Sequence, residues 1–300
     1  MDRLSTQTRE IDKRYDFMMG SVRALGELAW QMIHDKNVIK RKKPDNTWVT
    51  NVDETLNDTF IEWAGQEFPG DLVWGEERSN SVKNDLAMAD KHPLWIIDPI
   101  DGTKGFVRSY ETDRFTENTS SIMVTHFMPG ETVPTMSAIY NPFQDQKVLI
   151  SAHRGKTFFE TSAAPEPEVQ TVDRDRAPRT LSEVRRFEQT HWKVATPDLD
   201  RFQELVPRAR IASHQLFMGS VALGDVDVSV FPGPSNPHDV APGALILHNA
   251  GGDVRTFANE PFEQVDWRRY PINGTVGTVH PRLGHEVVRA VMDRHEALAV

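Results

Sequence analysis

The string LWIIDPIDGTKGF, which begins at residue 94, constrains the fold of this chain more than any other segment. Its apolar start predicts a buried strand that ends at Asp98, and the carboxyl ends of such strands are where sheets commonly bind ligands. Pro99 predicts a turn from which Asp101 projects beside Asp98. Gly102 allows a ligand to approach the backbone closely, and Thr103 begins a short helix whose first N–H groups suit a phosphate.

Two carboxylates that project from one turn repel each other unless a cation lies between them. Hard divalent cations prefer oxygen ligands, and magnesium is the usual ion beside phosphates. The alternative is a structural turn in which Asp98 caps the following helix, which is the commoner role of an isolated Asp-x-x-Asp pair. The strand–turn–helix context favours the metal site over this alternative.

The charge balance limits the partners of such a site. With 44 acidic and 34 basic side chains the net charge is −10, so neither nucleic acid nor an anionic membrane is expected as the main partner. No run approaches the ~18 apolar residues of a membrane helix, and the charged N-terminus does not resemble a signal peptide. The sequence therefore predicts a soluble cytoplasmic protein. The absence of cysteine excludes thiolate chemistry.

Hydrophobic periodicity predicts the elements around this string. The predicted helices are Glu10 to about His34, Asp53 to about Phe68, Leu199–Leu205, Asp239–Asn249 and Leu283–Met292. The predicted strands are Leu72–Trp74, Leu94–Ile97, Ser121–Phe127, Pro134–Tyr140, Lys147–Ser151, Trp192–Ala195, Ser229–Phe231 and Gly274–Val279. A loop is expected from Arg78 to about His92, and a connection between two halves is expected from Thr161 to about Arg179.

Four motifs, in this order along the chain, resemble the inositol monophosphatase superfamily. DNTWVTNVD at residues 45–53 resembles its upstream element, and GEE at residues 75–77 matches its strand-end Gly-Glu-Glu. DPIDGT at residues 98–103 resembles its first signature. PHDVAPG at residues 237–243, followed by NAGG at residues 249–252, is similar to its second signature. The resemblance covers nearly the whole chain.

This resemblance implies an α/β (α+β) fold, the layered α-β-α-β-α sandwich of the inositol monophosphatase type. Residues 1–185 would form an N-terminal α+β half that carries most metal ligands. Residues 186–300 would form a C-terminal α/β half that carries the second signature. The active site would lie between the halves, and the protein would be a homodimer, as relatives often are.

The implied activity is that of a magnesium-dependent, lithium-sensitive phosphomonoesterase. It would use two or three Mg²⁺ ions to activate the water that attacks a small phosphorylated metabolite. The substrate stays open among an inositol phosphate, adenosine 3′,5′-bisphosphate and histidinol phosphate. A non-catalytic relative that only binds metal or phosphate is the alternative from another class.

The resemblance also implies the metal ligands. Glu76, Asp98 and the main-chain carbonyl of Ile100 would hold the first magnesium. Asp98, Asp101 and Asp239 would share the second. The alternative for Asp239, an N-cap of the helix that runs to residue 249, is compatible with ligation.

The implied catalytic residues lie in the same motifs. Glu76 and Thr103 would orient and deprotonate the attacking water, and Asp53 would support them. The implied substrate-binding positions are Asp101, Gly102, Thr103 and Asp239.

Several residues depart from the pattern or have an open role. Trp48 stands where relatives usually have proline, and His238 stands where they have tryptophan, so His238 either contacts substrate or fills the same packing position. The segment 221–228 predicts a shortened helix beside the substrate pocket. Further candidates with two open roles each are Glu77 (a support for the ligands or solvated), Asp45 (a third metal or a turn cap) and Lys104 (a second phosphate or a solvated charge).

Overall fold

The computed structural model describes residues 3–77, 85–115, 120–189, 210–212, 216, 218–231 and 233–298. The helices in these ranges are α1 (Arg3–His34), α2 (Asn51–Glu67), α3 (Leu86–Ala89), α4 (Thr103–Thr112), α5 (Met218–Ala222), α6 (Pro237–Asn249) and α7 (Pro281–Leu298). The strands before residue 171 are β1 (Lys40–Lys42), β2 (Trp48–Thr50), β3 (Leu72–Gly75), β4 (Leu94–Asp101), β5 (Ser121–Phe127), β6 (Met136–Asn141), β7 (Val148–His153), β8 (Lys156–Thr161) and β9 (Glu168–Gln170). The later strands are β10 (Arg186–Gln189), β11 (Arg210–Ala212), β12 (Val228–Phe231), β13 (Asp253–Thr256) and β14 (Thr275–Thr278).

Two sheets organise the described part of the chain. The large sheet has the order β3-β4-β5-β6-β7-β8-β9, and its strands run antiparallel except for the parallel pair β3 and β4. The small sheet has the order β11-β10-β12-β14-β13. It is parallel on the β10 side and antiparallel around β14. The strands of each sheet come from a separate stretch of chain.

Three apolar clusters stack these elements into five layers. One cluster packs α1 and α2 on the outer face of the large sheet. A second fills the space between the sheets, where α5 and α6 lie. The third packs α7 on the small sheet. The predicted α-β-α-β-α sandwich is therefore confirmed, whereas its division into domains at residue 185 stays a prediction.

The middle layer depends on α6, which is buried along most of its length. The hydroxyl of Ser137 in β6 donates to the carbonyl of Pro242 (3.0 Å), and that of Thr157 in β8 donates to the carbonyl of Ile246 (2.6 Å). Buried carbonyl groups need such partners, so these two bonds attach the helix to the large sheet.

Several predicted elements differ from the observed ones. The loop predicted through residue 92 is wrong at α3, whose first turn is capped by the side chain of Asp85. The predicted connection after Thr161 contains β9, which pairs with β8. The helix before β12 is short, as predicted. The strand predicted at Trp192–Ala195 and the helix predicted at Leu199–Leu205 lie outside the described residues. Among the described helices, none is long and apolar enough to cross a bilayer.

Two glycines of α1 provide a matched test of how this helix packs on the large sheet. A Cβ at Gly26 would lie 2.7 Å from Tyr140 Cε1 and 2.9 Å from Pro142 Cβ, whereas one at Gly20 would meet nothing within 4 Å. We expect Gly26→Ala to lower the free energy of unfolding by about 1–3 kcal/mol, because overpacking forces neighbours apart. Gly20→Ala should raise it by about 0.5–1 kcal/mol, because alanine favours the helix. Urea denaturation measures both, and the same sign for the two variants would contradict this packing.

Candidate active site

A bulge in β4 brings Asp98 and Asp101 to one side of the large sheet. Side chains three residues apart on a regular strand point to opposite faces. Here Asp98 pairs with Met123, whereas Asp101 pairs with Ser121, so β4 contains one extra residue over this stretch. Such a bulge restores the same face for both carboxylates, and Pro99 fits there because it has no N–H to pair. The predicted turn is therefore a bulge within a strand that continues to Asp101.

Two further carboxylates occupy equivalent positions at the starts of two helices. Asp53 is the third residue of α2 and accepts from the backbone N–H of the cap residue Thr50 (2.8 Å). Asp239 is the third residue of α6 and accepts from the backbone N–H of the cap residue Asn236 (3.1 Å). Asp239 is thus part of a capping box and is not itself the N-cap, which corrects the alternative considered from the sequence.

The acids of three motifs meet at one place. Oxygens of Asp98, Asp101 and Asp239 lie within 4.8 Å of one another. A second group within the same distance contains Glu76, Asp98 and a ring nitrogen of His238. Asp98 belongs to both groups, as the resemblance predicts for a residue that contacts both ions.

Burial and mutual repulsion strongly perturb these acids. Burial raises the pKa of Asp98 well above its usual value, and the charges of Glu76, Asp101 and Asp239 add to the rise. Burial followed by the charges of Asp239 and Glu76 does the same to the pKa of Asp101. Burial also raises the pKa of Asp239, while His238 opposes the rise. Carboxylates this close are stable as anions only beside positive charge.

Lys43 supplies part of that positive charge. Its Nζ donates to Glu76 Oε1 (3.0 Å) and to Glu77 Oε1 (2.8 Å). Although burial alone would raise it, the pKa of Glu76 is lowered by His238 and Lys43. Burial and the charge of Glu76 raise the pKa of Glu77 to about 7, against the effect of Lys43. The side chain of Glu77 is only 4% exposed, so its carboxylate is a buried partner of Lys43, and the solvated alternative is wrong. The role of Lys43 was not predicted from the sequence, although the lysine lies two residues before the first motif.

Thr103 connects Asp53 to the acids of β4. Its hydroxyl lies 2.9 Å from Asp53 Oδ1 and 3.1 Å from the carbonyl of Ile100, and its single hydrogen can be donated to one of them at a time. The hydroxyl of Thr50 donates to the other oxygen of Asp53. Burial raises the pKa of Asp53 to about 6, while these hydrogen bonds limit the rise. The predicted Asp53–Thr103 pair is therefore in contact.

A cavity of about 400 Å³ opens beside these residues. Glu76, Thr103 and Asp239 line it on the acidic side, and the remaining described lining residues are Lys42, Lys43, Asp45, Asn46, Thr47, Trp48, Lys104, Asn236 and His238. The predicted catalytic residues Glu76 and Thr103 thus line the same cavity as Trp48 and His238, the two residues that differ from the family pattern. The three lysines also lie around this cavity.

The other candidate residues occupy the edges of this cavity. Asp45 Oδ1 accepts from the N–H (2.9 Å) and the hydroxyl (2.7 Å) of Thr47, as a turn cap does. Lys104 is exposed on α4. Gly102 has a φ of +79° as the cap residue of α4, a conformation that glycine adopts readily. Backbone N–H groups at the start of a helix suit a phosphate.

The residues present fit divalent metal ions. The donor set consists mainly of carboxylate oxygens, which magnesium prefers. Asp101 Oδ2 is buried without a hydrogen-bond partner, although buried polar atoms are nearly always satisfied. A cation at this position would satisfy Oδ2 and offset the repulsion among Asp98, Asp101 and Asp239.

The comparisons with known proteins identify the family of the chain. Residues 10–295 match the inositol monophosphatase family. The chain is 29% identical over 263 residues to an inositol-1-monophosphatase of Bacillus subtilis, an alignment that covers 86% of this chain and 88% of that protein. It is 24% identical over 248 residues to the 3′(2′),5′-bisphosphate nucleotidase CysQ of Buchnera aphidicola, with 82% and 85% covered.

Solved structures show the same fold. An IMPase of Thermotoga maritima superposes with a TM-score of 0.71 at 24% identity and covers 95% of this chain and 99% of its own. An IMPase/NADP phosphatase described in complex with Mg²⁺ and phosphate superposes with a TM-score of 0.72 at 19% identity, with 95% and 96% covered.

The repulsion at Asp101 predicts how metal-free protein responds to pH. A carboxyl whose pKa is raised by folding favours the folded state fully below its unfolded pKa, and this contribution is lost as the pH rises through the folded value. Metal-free wild type should therefore lose stability from about pH 4 upward. The metal-free Asp101→Asn variant should lose less stability than wild type as the pH rises. At pH 8 its melting temperature should exceed that of wild type by about 2–4 °C for each kcal/mol of repulsion relieved.

With added Mg²⁺, wild type should melt at a higher temperature than Asp101→Asn, the reverse of the order without metal. A ligand at 100 times its Kd stabilises a protein by about 2.7 kcal/mol, and Asp101→Asn should lose most of that gain. Thermal melts with chelator or with added Mg²⁺ measure both effects. The exposed Asp16 provides the control, because Asp16→Asn should change neither response. A metal-free Asp101→Asn protein that melts below wild type at pH 8 would contradict the repulsion.

Proposed function

Since this chain belongs to the inositol monophosphatase family, we propose that it is a magnesium-dependent phosphatase that hydrolyses a small phosphorylated metabolite. Members of this family hydrolyse phosphoric monoesters, and the chain shares that activity class. The observation that supports magnesium dependence is the close group of Asp98, Asp101 and Asp239, of which Asp239 lines a cavity together with Thr103.

The bound ions would supply positive charge to the phosphoryl group and make a water molecule more acidic. Glu76, Asp98 and the Ile100 carbonyl would hold one ion, and Asp98, Asp101 and Asp239 would hold the second. A third ion remains part of the proposal, and Asp45 is its candidate ligand.

The Asp53–Thr103 pair would orient the attacking water. When the hydroxyl hydrogen of Thr103 is donated to Asp53 Oδ1, the lone pairs of the threonine oxygen can accept a hydrogen from water. Glu76 lines the same cavity, and its lowered pKa keeps it ionised. It is therefore able to accept a proton from that water. These contacts fix the position of the nucleophile before reaction.

The phosphate would lie at the start of α4. Gly102 is the cap and Thr103 the first residue of that helix, and at a helix start backbone N–H groups and the helix dipole favour an anion. Asp101 and Asp239 lie beside this position and would contact the substrate indirectly through bound ions. The net charge of −10 makes this local positive potential necessary for an anionic substrate.

The substrate within this class is a proposal with two supports. The relative from Bacillus subtilis favours an inositol phosphate. The relative from Buchnera aphidicola, together with the lysines around the cavity, favours a bisphosphate nucleotide as the second candidate. Histidinol phosphate is retained from the sequence. A homodimer and a cytoplasmic location are likewise retained as proposals.

A substrate panel tests the class and the substrate together. We expect Mg²⁺-dependent phosphate release from at least one of inositol 1-phosphate, adenosine 3′,5′-bisphosphate, histidinol phosphate and fructose 1,6-bisphosphate. Each substrate is assayed with Mg²⁺ and with chelator. Release that continues undiminished in chelator would contradict the metal dependence. No release from any compound, by a protein that binds Mg²⁺, would favour the non-catalytic alternative.

Asp98→Asn should abolish turnover while leaving the fold intact, because Asp98 belongs to both ligand groups. The substitution keeps the shape of the side chain and removes its charge. Asp16→Asn is the control at an exposed position and should retain full activity. A residual kcat above about a tenth of wild type, equivalent to a loss of less than about 1.4 kcal/mol in transition-state stabilisation, would contradict the assigned role.

Lithium should inhibit the reaction at millimolar concentration, an expectation that rests on the family resemblance. The measurement is phosphate release at fixed Mg²⁺ with rising LiCl, and an equal concentration of KCl controls for ionic strength. An enzyme that requires Mg²⁺ but ignores lithium would show that its second ion site differs from that of the family.

A further inference from the structure

The ring of His238 faces the position where two predicted metal ligands meet. The side chain is only 5% exposed, and its Nε2 lies 3.5 Å from Asp239 Oδ1. A ring nitrogen also lies within 4.8 Å of carboxylate oxygens of Glu76 and Asp98, which lie within the same distance of each other.

The spacing of this triad is close to that of three ligands around one ion. Divalent ions of this size bind nitrogen and oxygen at about 2.0–2.2 Å, so ligands on opposite sides of an ion are about 4.2 Å apart. All three ligand atoms lie within 4.8 Å of one another, so no pair exceeds that span by more than roughly 0.6 Å. Small side-chain rotations of Glu76 and His238 on metal binding would close a gap of this size.

The local structure fixes the ring beside the acids. His238 is the second residue of α6, between the proline that begins the helix and the aspartate of its capping box. Because His238 and Asp239 are adjacent, the helix start places His238 in the group with Glu76 and Asp98, and Asp239 in the group with Asp98 and Asp101. A tryptophan, which the resemblance predicts here, has only an N–H donor and cannot bind a cation through its ring nitrogen. Histidine adds a nitrogen ligand to a site otherwise made of oxygens.

We propose that His238 is a ligand of the ion held by Glu76 and Asp98, and that this ligand shifts the preference of that position from Mg²⁺ toward Mn²⁺. The inference rests on the metal-dependent function proposed above. Magnesium binds oxygen ligands and dehydrates reluctantly, whereas imidazole suits transition metals. The remaining ligands would be two carboxylates and the Ile100 carbonyl, which suit manganese, and zinc prefers tetrahedral sites rich in nitrogen or sulfur.

Pulsed electron paramagnetic resonance on the full chain loaded with Mn²⁺ tests the ligand directly. We expect electron-spin-echo modulation from a directly coordinated ¹⁴N nucleus in the wild type. Labelling all histidines with ¹⁵N should change this modulation to that of ¹⁵N without altering the protein. A wild-type spectrum without coordinated nitrogen would overturn the proposal, and this measurement depends on no variant.

Two variants then assign the nitrogen to one histidine. His238→Gln and His238→Trp should both lose the modulation, and the exposed control His34→Gln should keep it. The tryptophan variant restores the residue of the resemblance and covers the case in which glutamine disturbs the fold. Circular dichroism of the metal-free proteins confirms that each variant is folded. Retention of the modulation in either folded variant would overturn the assignment to His238.

Calorimetric titration of metal-free protein tests the preference. The ratio of Mn²⁺ to Mg²⁺ affinity should fall by about tenfold or more in His238→Trp, mainly through weaker Mn²⁺ binding. An unchanged ratio would overturn the proposed shift.

These outcomes are independent of the phosphatase assay. Mg²⁺-dependent phosphate release without coordinated nitrogen contradicts only the role of His238. Coordinated nitrogen in a protein that releases no phosphate contradicts only the proposed activity.

Discussion

The mutual repulsion of buried carboxylates is the constraint on which the rest of this structure depends. Asp98, Asp101 and Asp239 are held within a few ångströms of one another, and burial with like charge raises the pKa of each. The fold compensates with three helix starts around the same site, those of α2, α4 and α6. The capping-box acids Asp53 and Asp239 lie at the positive ends of α2 and α6, and the start of α4 is where we propose the phosphate binds.

The layers follow from the need to bring these helix starts together. Asp98 and Asp101 come from the large sheet, whereas Asp239 comes from a helix buried between the sheets. Hydrogen bonds from Ser137 and Thr157 hold that helix against the large sheet. The apolar cluster between the sheets packs around it. The core between the sheets therefore does more than stabilise the fold, because it opposes the separation that repulsion among the acids favours.

Much of this arrangement is predictable from the sequence, for identifiable reasons. The strand before Asp98, the helix start at Thr103 and β5 follow from local apolar runs and turn residues, which are short-range signals. The bulge in β4 is not local in this sense, because it depends on how β4 pairs with β5. The contact of Lys43 with Glu76 and Glu77 joins residues 33 and 34 positions apart, and a run of basic residues does not show which lysine points inward. The edge strand β9 was missed since its sequence is polar and its order comes from pairing with β8.

The same constraint makes metal binding and stability a single problem in this protein. Repulsion between Asp98 and Asp101 as anions destabilises the metal-free fold. A cation that neutralises them removes this repulsion, and the relief would add to the affinity for the metal. Protons compete for these carboxylates because their pKa values are raised, and affinity should therefore rise with pH. The imidazole of His238 carries no negative charge, so as a ligand it would add affinity without adding repulsion. Its position beside the acids is thus a way to strengthen the site that a further carboxylate could not provide.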